Sequence, residues 1–300
     1  MAVQPIFQPT PTRPKSQGRN TPKLRAFIQI LQVNFSLFTW LLLGAIIQGT
    51  ILLIHPSFIS LLPAVALFVI RLIDSYLVAF NLKPNVYMTD VLPRKKISAL
   101  SIDADGQFTE KPATGKIAVL LLGAKSNHPF GIFAPGFKEL GGHLNKMLKD
   151  LDDNAASKGF LGQTMYTRYD ERGGLEITNL MYFKDLAVIH DFAHSPLHRE
   201  AWQWWDATLK ERDCIGINHE IYEADSGSWE SLYANFQPTG LGATSYFRKG
   251  GKFESGVVPD QWVSPLVDVS RGKLGSSSGR LGWDPTKHDE RHPVVQGVYE

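Results

Sequence analysis

Apolar residues are distributed along this chain in two ways: one long uninterrupted segment comes early, and periodic patterns follow it. Residues 26–70 contain no Asp, Glu, Lys or Arg. Because a hydrocarbon core about 30 Å thick is crossed by about 20 apolar residues, this segment is long enough for two crossings. The pattern predicts helices over residues 27–54 and 58–80, with a turn at His55-Pro56-Ser57. We therefore expect residues 26–81 to form a two-helix transmembrane hairpin.

Basic residues flank the hairpin on both sides. Residues 1–25 are a basic N-terminal segment without any acidic residue, and Lys83, Arg94, Lys95 and Lys96 follow the second apolar segment. Segments rich in Lys and Arg stay on the cytosolic side of a membrane. The sequence thus predicts a multi-pass membrane protein with both ends of its hairpin, and the rest of the chain, on the cytosolic side.

After the apolar segments, the residue patterns alternate between those typical of strands and those typical of helices. Residues 82–115 lack periodicity and are expected to form a connector, whereas a folded domain is expected over residues 116–242. Apolar residues recur at helical spacing after Pro135, at Phe137, Leu140, Leu144, Met147, Leu148 and Leu151. A second helical stretch is expected over residues 185–212. Strand patterns are found at residues 117–122, 160–169, 175–183, 214–223 and 229–236.

This order, β-α-β-β-α-β with one further strand, is that of an α+β domain of the ferredoxin-like (split βαβ) kind. Both helices then cover one face of an antiparallel sheet, and the other face is left open. Such sheets commonly pair face to face into a dimeric α+β barrel, so we expect a homodimer. Residues 243–300 are expected to form an irregular tail, with a mobile Gly/Ser-rich segment at 271–282.

Overall composition excludes several classes of function. The formal net charge is only +2, and the basic residues cluster at the hairpin ends, so nucleic acid is not an expected partner. The single cysteine, Cys214, excludes an internal disulfide and agrees with a reducing compartment. No phosphate-binding loop, dinucleotide fingerprint or Cys-x-x-Cys motif is present. The segment Gly275–Gly279 matches the Gly-x-Ser-x-Gly motif of a nucleophile elbow. No strand pattern precedes it, however, so a serine hydrolase is not expected.

Reactive side chains are densest between residues 190 and 205, where three histidines recur every fourth residue. Pro196 lacks the N–H that a continuous helix needs, so Ser195 and Pro196 are expected to start a second helix. His194 then lies at the junction, while His198 shares a face with Trp202 beyond it. Histidine moves protons near neutral pH, so His194 or His198 is a candidate catalytic base. The alternative is that these residues cap carbonyls and pack a core or an interface.

A second candidate lies in the Cys214 strand. Its alternation places His219 on one face with apolar residues and Glu220 on the other. His219 is therefore a third catalytic candidate, unless it is an edge residue bonded to water. The candidates for substrate binding are His190, Trp202, Trp205, Glu220, Tyr166, Arg168, Asn179 and Asn235. No metal site is expected, because Pro196 disturbs the alignment of His190, His194 and His198.

Three stretches of the chain also carry a family resemblance. They are the run from His190 to Trp205, Gly216-Ile217-Asn218-His219-Glu220-Ile221-Tyr222, and Trp229-Glu230-Ser231-Leu232-Tyr233-Ala234-Asn235. In these the chain resembles fungal monooxygenases of the fumagillin-pathway type, which belong to the antibiotic-biosynthesis-monooxygenase-like group of dimeric α+β barrels. The resemblance covers roughly residues 116–242 and implies the same fold as the strand order.

The resemblance implies oxidation of an apolar secondary metabolite, polyketide-like or terpenoid-like, by O₂. It implies neither flavin nor metal, since the better-understood bacterial relatives use neither. Our leading hypothesis is thus a monooxygenase anchored in the endoplasmic reticulum membrane, whose domain faces the cytosol and takes a lipophilic substrate from the bilayer. A haem-dependent lyase of the aldoxime-dehydratase kind is the second hypothesis, because haem proteins also use this barrel. A non-catalytic protein that binds lipophiles or holds other enzymes together is the third.

Overall fold

The structure is a computed structural model of the chain, and it describes residues 6–14, 23–92, 97–99, 115–170, 174–253, 256–268 and 273–284. The chain divides into two compact units. One comprises Leu24–Val91, and the other comprises Met1–Lys23 together with Leu92–Glu300.

The smaller unit is made of apolar helices. Its helices are α1 (Lys23–Asn34), α2 (Leu37–Ile54) and α3 (Leu62–Ala79), with a 3-10 turn at Phe58–Leu61. Two helical segments, Leu37–Ile54 and Phe58–Ala79, are long and apolar enough to cross a membrane, and neither buries any of its length.

The first predicted helix is divided in two. Instead of one helix over residues 27–54, a break separates α1 from α2. Ser36 causes it, because its hydroxyl accepts a hydrogen bond from the Thr39 amide at 3.3 Å and so caps a new helix. At the turn between the apolar segments, the Gln48 amide donates to the Ser60 carbonyl at 3.3 Å.

An antiparallel sheet with helices forms the centre of the larger unit. Its elements in chain order are β1 (Ile97–Ala99), β2 (Ile117–Ser126), α4 (Phe137–Asp153), β3 (Phe160–Tyr169), β4 (Leu175–Phe183), α5 (Leu186–Ala193), α6 (Pro196–Thr208) and β5 (Ile215–Ala224). In the described part of the chain, the main sheet has four strands in the order β3-β4-β2-β5, and all pairings are antiparallel. The order of elements from β2 to β5 is the predicted β-α-β-β-α-β.

Helices α4, α5 and α6 cover one face of this sheet. Strand β2 turns Ala118 and Leu120 towards them, and Leu151 of α4 and Phe183 of β4 complete a core that excludes water. The burial of each such apolar side chain contributes about 1.5–3 kcal/mol to stability. The helical spacing found in the sequence therefore identifies the core face of α4.

The opposite face of the sheet is half covered, which corrects the expectation that it is open. Ile117, Leu161 and Tyr182 on this face pack against Leu241, with Trp229 and Tyr246 at the edge of the cluster. The Tyr233 hydroxyl donates to the Thr239 carbonyl at 2.6 Å and accepts from the Gly242 amide at 2.7 Å, which fixes the covering loop. The chain therefore covers part of its own apolar sheet.

The predicted strand at residues 229–236 was wrong. This segment forms no strand: the Trp229 indole donates to the Gly115 carbonyl at 3.1 Å, and Tyr233 and Phe236 lie only in isolated bridges, that of Phe236 being to Leu92. Side-chain burial on the covered face outweighs pairing along β5. The fifth strand of the predicted sheet is thus replaced by the covering segment.

The C-terminal part is more regular than the expected tail. It contains β6 (Tyr246–Arg248), β7 (Gly251–Phe253), β8 (Gly256–Val258), β9 (Gln261–Val263), β10 (Leu266–Asp268) and the short helix α7 (Ser277–Leu281). These strands pair as β6-β9, β7-β8 and β1-β10, so the expected connector also supplies a strand.

The Gly/Ser-rich segment is held in place within the described residues 273–284. The Arg280 guanidinium is buried, donates to Glu230 at 2.5 Å and also bonds the Leu274 and Gly275 carbonyls. A single buried charge thus ties the described part of this segment to the domain, and its mobility stays a prediction. Residues 271 and 272 lie outside the described residues.

The segment that precedes the apolar helices also belongs to the larger unit. Thr10 exchanges two backbone hydrogen bonds with Trp262, of 3.0 and 2.8 Å, and Ile6 donates to Leu266 at 3.1 Å. Arg13 forms a largely buried ion pair with Asp152. Both ends of the helical unit therefore connect to one folded unit.

Candidate functional site

An apolar cavity of about 230 Å³ lies between the helices and the sheet. Helix α4 forms one wall, α5 and α6 form a second, and β2, β4 and β5 form the floor. Apart from Asn179 and three imidazoles, from His143, His198 and His219, its side chains are hydrocarbon, glycine, tryptophan or the thioether of Met147. Such a lining suits a mostly apolar ligand that a few polar groups orient.

The break between α5 and α6 determines where His198 points. Ser195 caps α6, its hydroxyl accepting from the His198 amide at 3.4 Å, and Pro196 occupies the first helical turn as predicted. Phe192, at the end of α5, packs edge-on against the His198 ring at 5.5 Å between centroids. The junction thus holds His198 in the cavity wall.

Burial keeps the His198 imidazole neutral. Desolvation lowers the pKa of His198, and the neighbouring His219 and His194 rings lower this pKa further. A hydrogen bond to the Ala193 backbone acts in the opposite direction. Since a bond that favours the charged imidazole is a donation to a carbonyl, one ring nitrogen is occupied and the other can accept a proton.

Strand β5 supplies His219 at the mouth of the cavity. The register pairs His219 with Leu122, on the helix-covered side of the sheet, and Glu220 with Leu121, on the opposite side. Ile217 and Ile221 line the cavity on either side of His219 and are partly exposed, and Trp202 of α6 is 50% exposed. The cavity therefore opens between α6 and the edge strand.

Asn179 of β4 is the polar group in the floor. Its side chain is 2% exposed, and its Oδ1 atom has no hydrogen-bond partner among the described residues. A buried polar atom left without a partner costs about 1–3 kcal/mol. Asn179 therefore offers a hydrogen-bonding group to a molecule in the cavity.

The structure brings five of the predicted site residues to this cavity. They are His198, His219, Trp202, Trp205 and Asn179.

The other six predicted residues lie elsewhere. The rings of His190 and His194 contact each other in a tilted arrangement, 4.3 Å between centroids, on the exposed side of the junction, where the His194 ring bonds the His190 carbonyl at 2.8 Å. This is the capping role that the sequence left open as an alternative. Glu220 bonds the Tyr222 hydroxyl, Tyr166 contacts Thr239, Arg168 pairs with Glu176, and Asn235 is exposed in a left-handed turn.

Two residues of α4 that line the cavity were not predicted. His143 packs against Trp204 at 4.9 Å, with its Nδ1 atom 3.9 Å from a Glu200 oxygen, and Gly141 lies one turn from Leu144. The helical spacing gave a signal, since His143 falls three residues after Leu140 and four before Met147. His143 therefore occupies the apolar face that the pattern had identified.

No group of three or more His, Cys, Asp or Glu residues suited to a metal ion is found within the described ranges. His198 faces the cavity whereas His190 and His194 do not, as expected from the helix break at Pro196.

Comparison with solved structures gives only distant similarities. An aldoxime dehydratase (OxdRE) in complex with butyraldoxime is 15% identical, with a TM-score of 0.31, over 47% of this chain and 33% of that one, so this chain spans a third of the dehydratase's length. SnoaB, a cofactor-independent oxygenase from Streptomyces nogalater, is 14% identical with a TM-score of 0.25, over 36% of this chain and 92% of that one. A putative antibiotic biosynthesis monooxygenase from Deinococcus radiodurans is 20% identical with a TM-score of 0.22, over 35% and 91%. Scores this low carry no functional conclusion.

Comparison of sequences gives a much closer relative. Monooxygenase af470 of Aspergillus fumigatus is 31% identical over 284 residues, which cover 94% of this chain and 98% of the relative. The family model described as Monooxygenase af470-like matches residues 117–241, from the start of β2 to the loop that covers the sheet. The resemblance drawn from the sequence is thereby confirmed, and the chain belongs to the monooxygenase af470-like family of oxidoreductases.

Proposed function

We propose that this monooxygenase oxidises an apolar secondary metabolite, polyketide-like or terpenoid-like, inside the cavity between helices and sheet, with His198 as the base. The observation that carries the proposal is a half-buried imidazole, whose pKa is lowered by burial, in the wall of an almost wholly apolar cavity. A general base must be unprotonated at working pH and must reach the proton that it removes. Of the sequence's catalytic candidates, His198 lies in the cavity wall, His219 lies at the mouth, and His194 lies outside.

The proposed reaction needs no electron donor other than the substrate. His198 removes a proton from an acidic C–H bond, and the carbanion or enolate passes electrons to O₂. The overall change is R₂CH₂ + O₂ → R₂C=O + H₂O, in which the carbon loses two hydrogens and gains one oxygen atom. The dry apolar walls keep water from protonating the carbanion.

Asn179 is proposed to orient the substrate in this cavity. Its unpartnered Oδ1 accepts a hydrogen bond, so it would bind a hydroxyl or N–H group of the substrate. An acidic C–H next to a phenol or enol has such a donor nearby. Asn179 and His198 would then hold one substrate from the floor and from the wall.

The alternative to this cofactor-free mechanism is one that uses haem. Membership of a monooxygenase family sets aside the hypotheses of a lyase and of a non-catalytic binding protein. His198 and His219 nevertheless present two imidazoles to the cavity, and imidazole is a common axial ligand of haem iron. A bound haem would supply oxygen activation, and these two residues would be the ones to hold it.

We further propose that the two apolar helical segments anchor the enzyme in the endoplasmic reticulum membrane, with the larger unit in the cytosol. On the N-terminal side of the helices, Thr10 is hydrogen-bonded to Trp262 of the larger unit. On their C-terminal side, the Leu92 amide donates to the Phe236 carbonyl at 3.2 Å. Since both ends join one unit, the chain must cross the membrane an even number of times. The basic flanks place that unit on the cytosolic side, and a lipophilic substrate would concentrate in the adjacent bilayer.

A homodimer is proposed on the uncovered half of the sheet face. Tyr222 of β5 is exposed on this face, and Leu121 of β2 is only partly buried there. A second copy would bury these residues as a dimeric α+β barrel does.

Oxygen uptake by detergent-purified full-length protein, after its absorption spectrum has been recorded, tests the reaction. We expect no Soret or flavin band, and O₂ uptake with an anthrone-type ketone that carries an acidic CH₂ and a phenol. One O₂ should be consumed for each carbonyl formed. A stoichiometric Soret band, or uptake that requires an added reductant, would contradict the mechanism.

Replacing His198 with Gln should lower turnover by about 10²–10⁴-fold, the contribution typical of a general base. Because burial lowers the pKa of His198, the neutral base persists as pH falls, and the acid limb of the wild-type profile should lie below the ordinary histidine value of about 6.5. His194→Gln is the matched control: turnover at its optimum should be as in the wild type, and the acid limb should move only slightly upward, because the His194 ring no longer lowers the pKa of His198. Equal losses in both variants would remove His198 from this role.

Asn179→Leu should reduce turnover by about tenfold or more without a loss of stability. The change removes a buried amide whose Oδ1 atom has no partner among the described residues, and it leaves an apolar group of similar size, which is expected to be neutral or stabilising. Unfolding in denaturant and O₂ uptake measure the two effects. Asn218→Leu, on the opposite face of the sheet, is the control and should leave turnover unchanged. A destabilised Asn179→Leu protein would show that the amide serves packing instead.

Cysteine labelling in microsomes tests the membrane topology. In a Cys214→Ser background, Thr12→Cys and Lys249→Cys should react with an impermeant maleimide before the membrane is opened. His55→Cys, at the turn between the apolar segments, should react only afterwards. Labelling of Thr12→Cys and Lys249→Cys on different sides would contradict the hairpin.

A further inference from the structure

Two adjacent glycines lie in the interior of α4. Glycine is costly in a helix interior compared with alanine, because it loses more backbone freedom on folding. A Cβ atom built on Gly141 or on Gly142 meets nothing within 4 Å, so neither glycine is required by close packing. Steric need therefore explains neither of them.

The two glycines face different surroundings. Gly142 is exposed on the outer face of α4, whereas Gly141 lines the cavity. Gly141 lies four residues after Phe137 and three before Leu144, both of which line the same wall. Every other cavity-lining residue of α4 carries a large side chain, so Gly141 forms a notch in that wall.

We infer that Gly141 determines the size of the substrate that the cavity accepts. This inference rests on the proposed function, since it assigns a specificity to the same cavity. A cavity of about 230 Å³ is smaller than the 300–1,000 Å³ typical of ligand pockets, so one added side chain removes a large share of the space.

The lining indicates which class of substrate uses the notch. Aromatic rings from Phe192, Trp202 and Trp205 line the same cavity from α5 and α6. Aromatic side chains bind flat rings through stacked or edge-on contacts. A fused-ring aromatic substrate would lie against them and extend into the space beside Gly141, whereas a single ring would not reach that far.

The test compares two probes, nitrobenzene and 1-nitronaphthalene, whose binding quenches tryptophan fluorescence. The full-length protein in detergent is used in five forms: wild type, Gly141→Ala, Gly141→Leu, Gly142→Ala and Gly142→Leu. Trp202 and Trp205 report a probe in the cavity, and uptake of the probe by detergent is the same for all forms. Thermal unfolding is recorded alongside, and both alanine variants should melt at or above the wild-type temperature.

We expect Gly141→Leu to weaken 1-nitronaphthalene binding at least about tenfold while nitrobenzene binding changes little. Gly141→Ala should have an intermediate effect, and it keeps the test valid if the leucine variant does not fold. Both Gly142 variants should bind as the wild type does.

Two results would overturn the inference in distinguishable ways. If the wild type binds both probes and the Gly141 variants bind them equally well, the cavity stands as proposed but Gly141 does not set its size. If no form shows saturable quenching by either probe, the apolar binding site itself is wrong, and the size assignment fails with it.

Discussion

Burial of strand β2 on both faces is the constraint on which the rest of the larger unit depends. The strand is hydrogen-bonded to β4 on one side and to β5 on the other. Leu120 and Leu122 contribute to the helix-covered core and to the cavity floor, while Ile117 and Val119 lie under the covering loop. Because both faces are apolar, helices must pack on one side and further chain on the other. The cavity is the part of the helix-covered face that the side chains leave unfilled.

The two faces of the sheet consequently serve different purposes. The helix-covered face carries the cavity and its polar groups. Asn179 on β4 and His219 on β5 lie on the two strands that flank β2. The other face binds the segment that ends near Leu241, which takes the place of a fifth strand. That segment shields apolar surface that a second copy would otherwise have to cover entirely. Tyr222 on this face stays exposed.

The chemistry proposed for the site follows from the apolar lining of its cavity. In an apolar wall an imidazole is favoured in its neutral form, which is the form that can remove a proton. The same surroundings accept an apolar substrate and make an unpartnered amide such as Asn179 costly until a ligand binds it. The proposed base, the proposed orienting acceptor and an apolar space thus arise from one packing arrangement. The break at Ser195 and Pro196 is the local feature that turns His198 into this space.

Much of the larger unit could be predicted because the signals are local. The apolar run of β2, the helical spacing of α4, the cap at Ser195 and the alternation that separates His219 from Glu220 all depend on residues close together in the chain. The length of the uncharged segment likewise depends on sequence alone. What required the tertiary structure were contacts between distant segments. Trp229 leaves the sheet edge because burial under the covering loop outweighs strand pairing. Arg280 is fixed by Glu230, which is fifty residues away. The space beside Gly141 exists only because three elements surround it. Local patterns therefore determined the elements and their exposed faces, while packing between distant residues decided which side chains share the cavity.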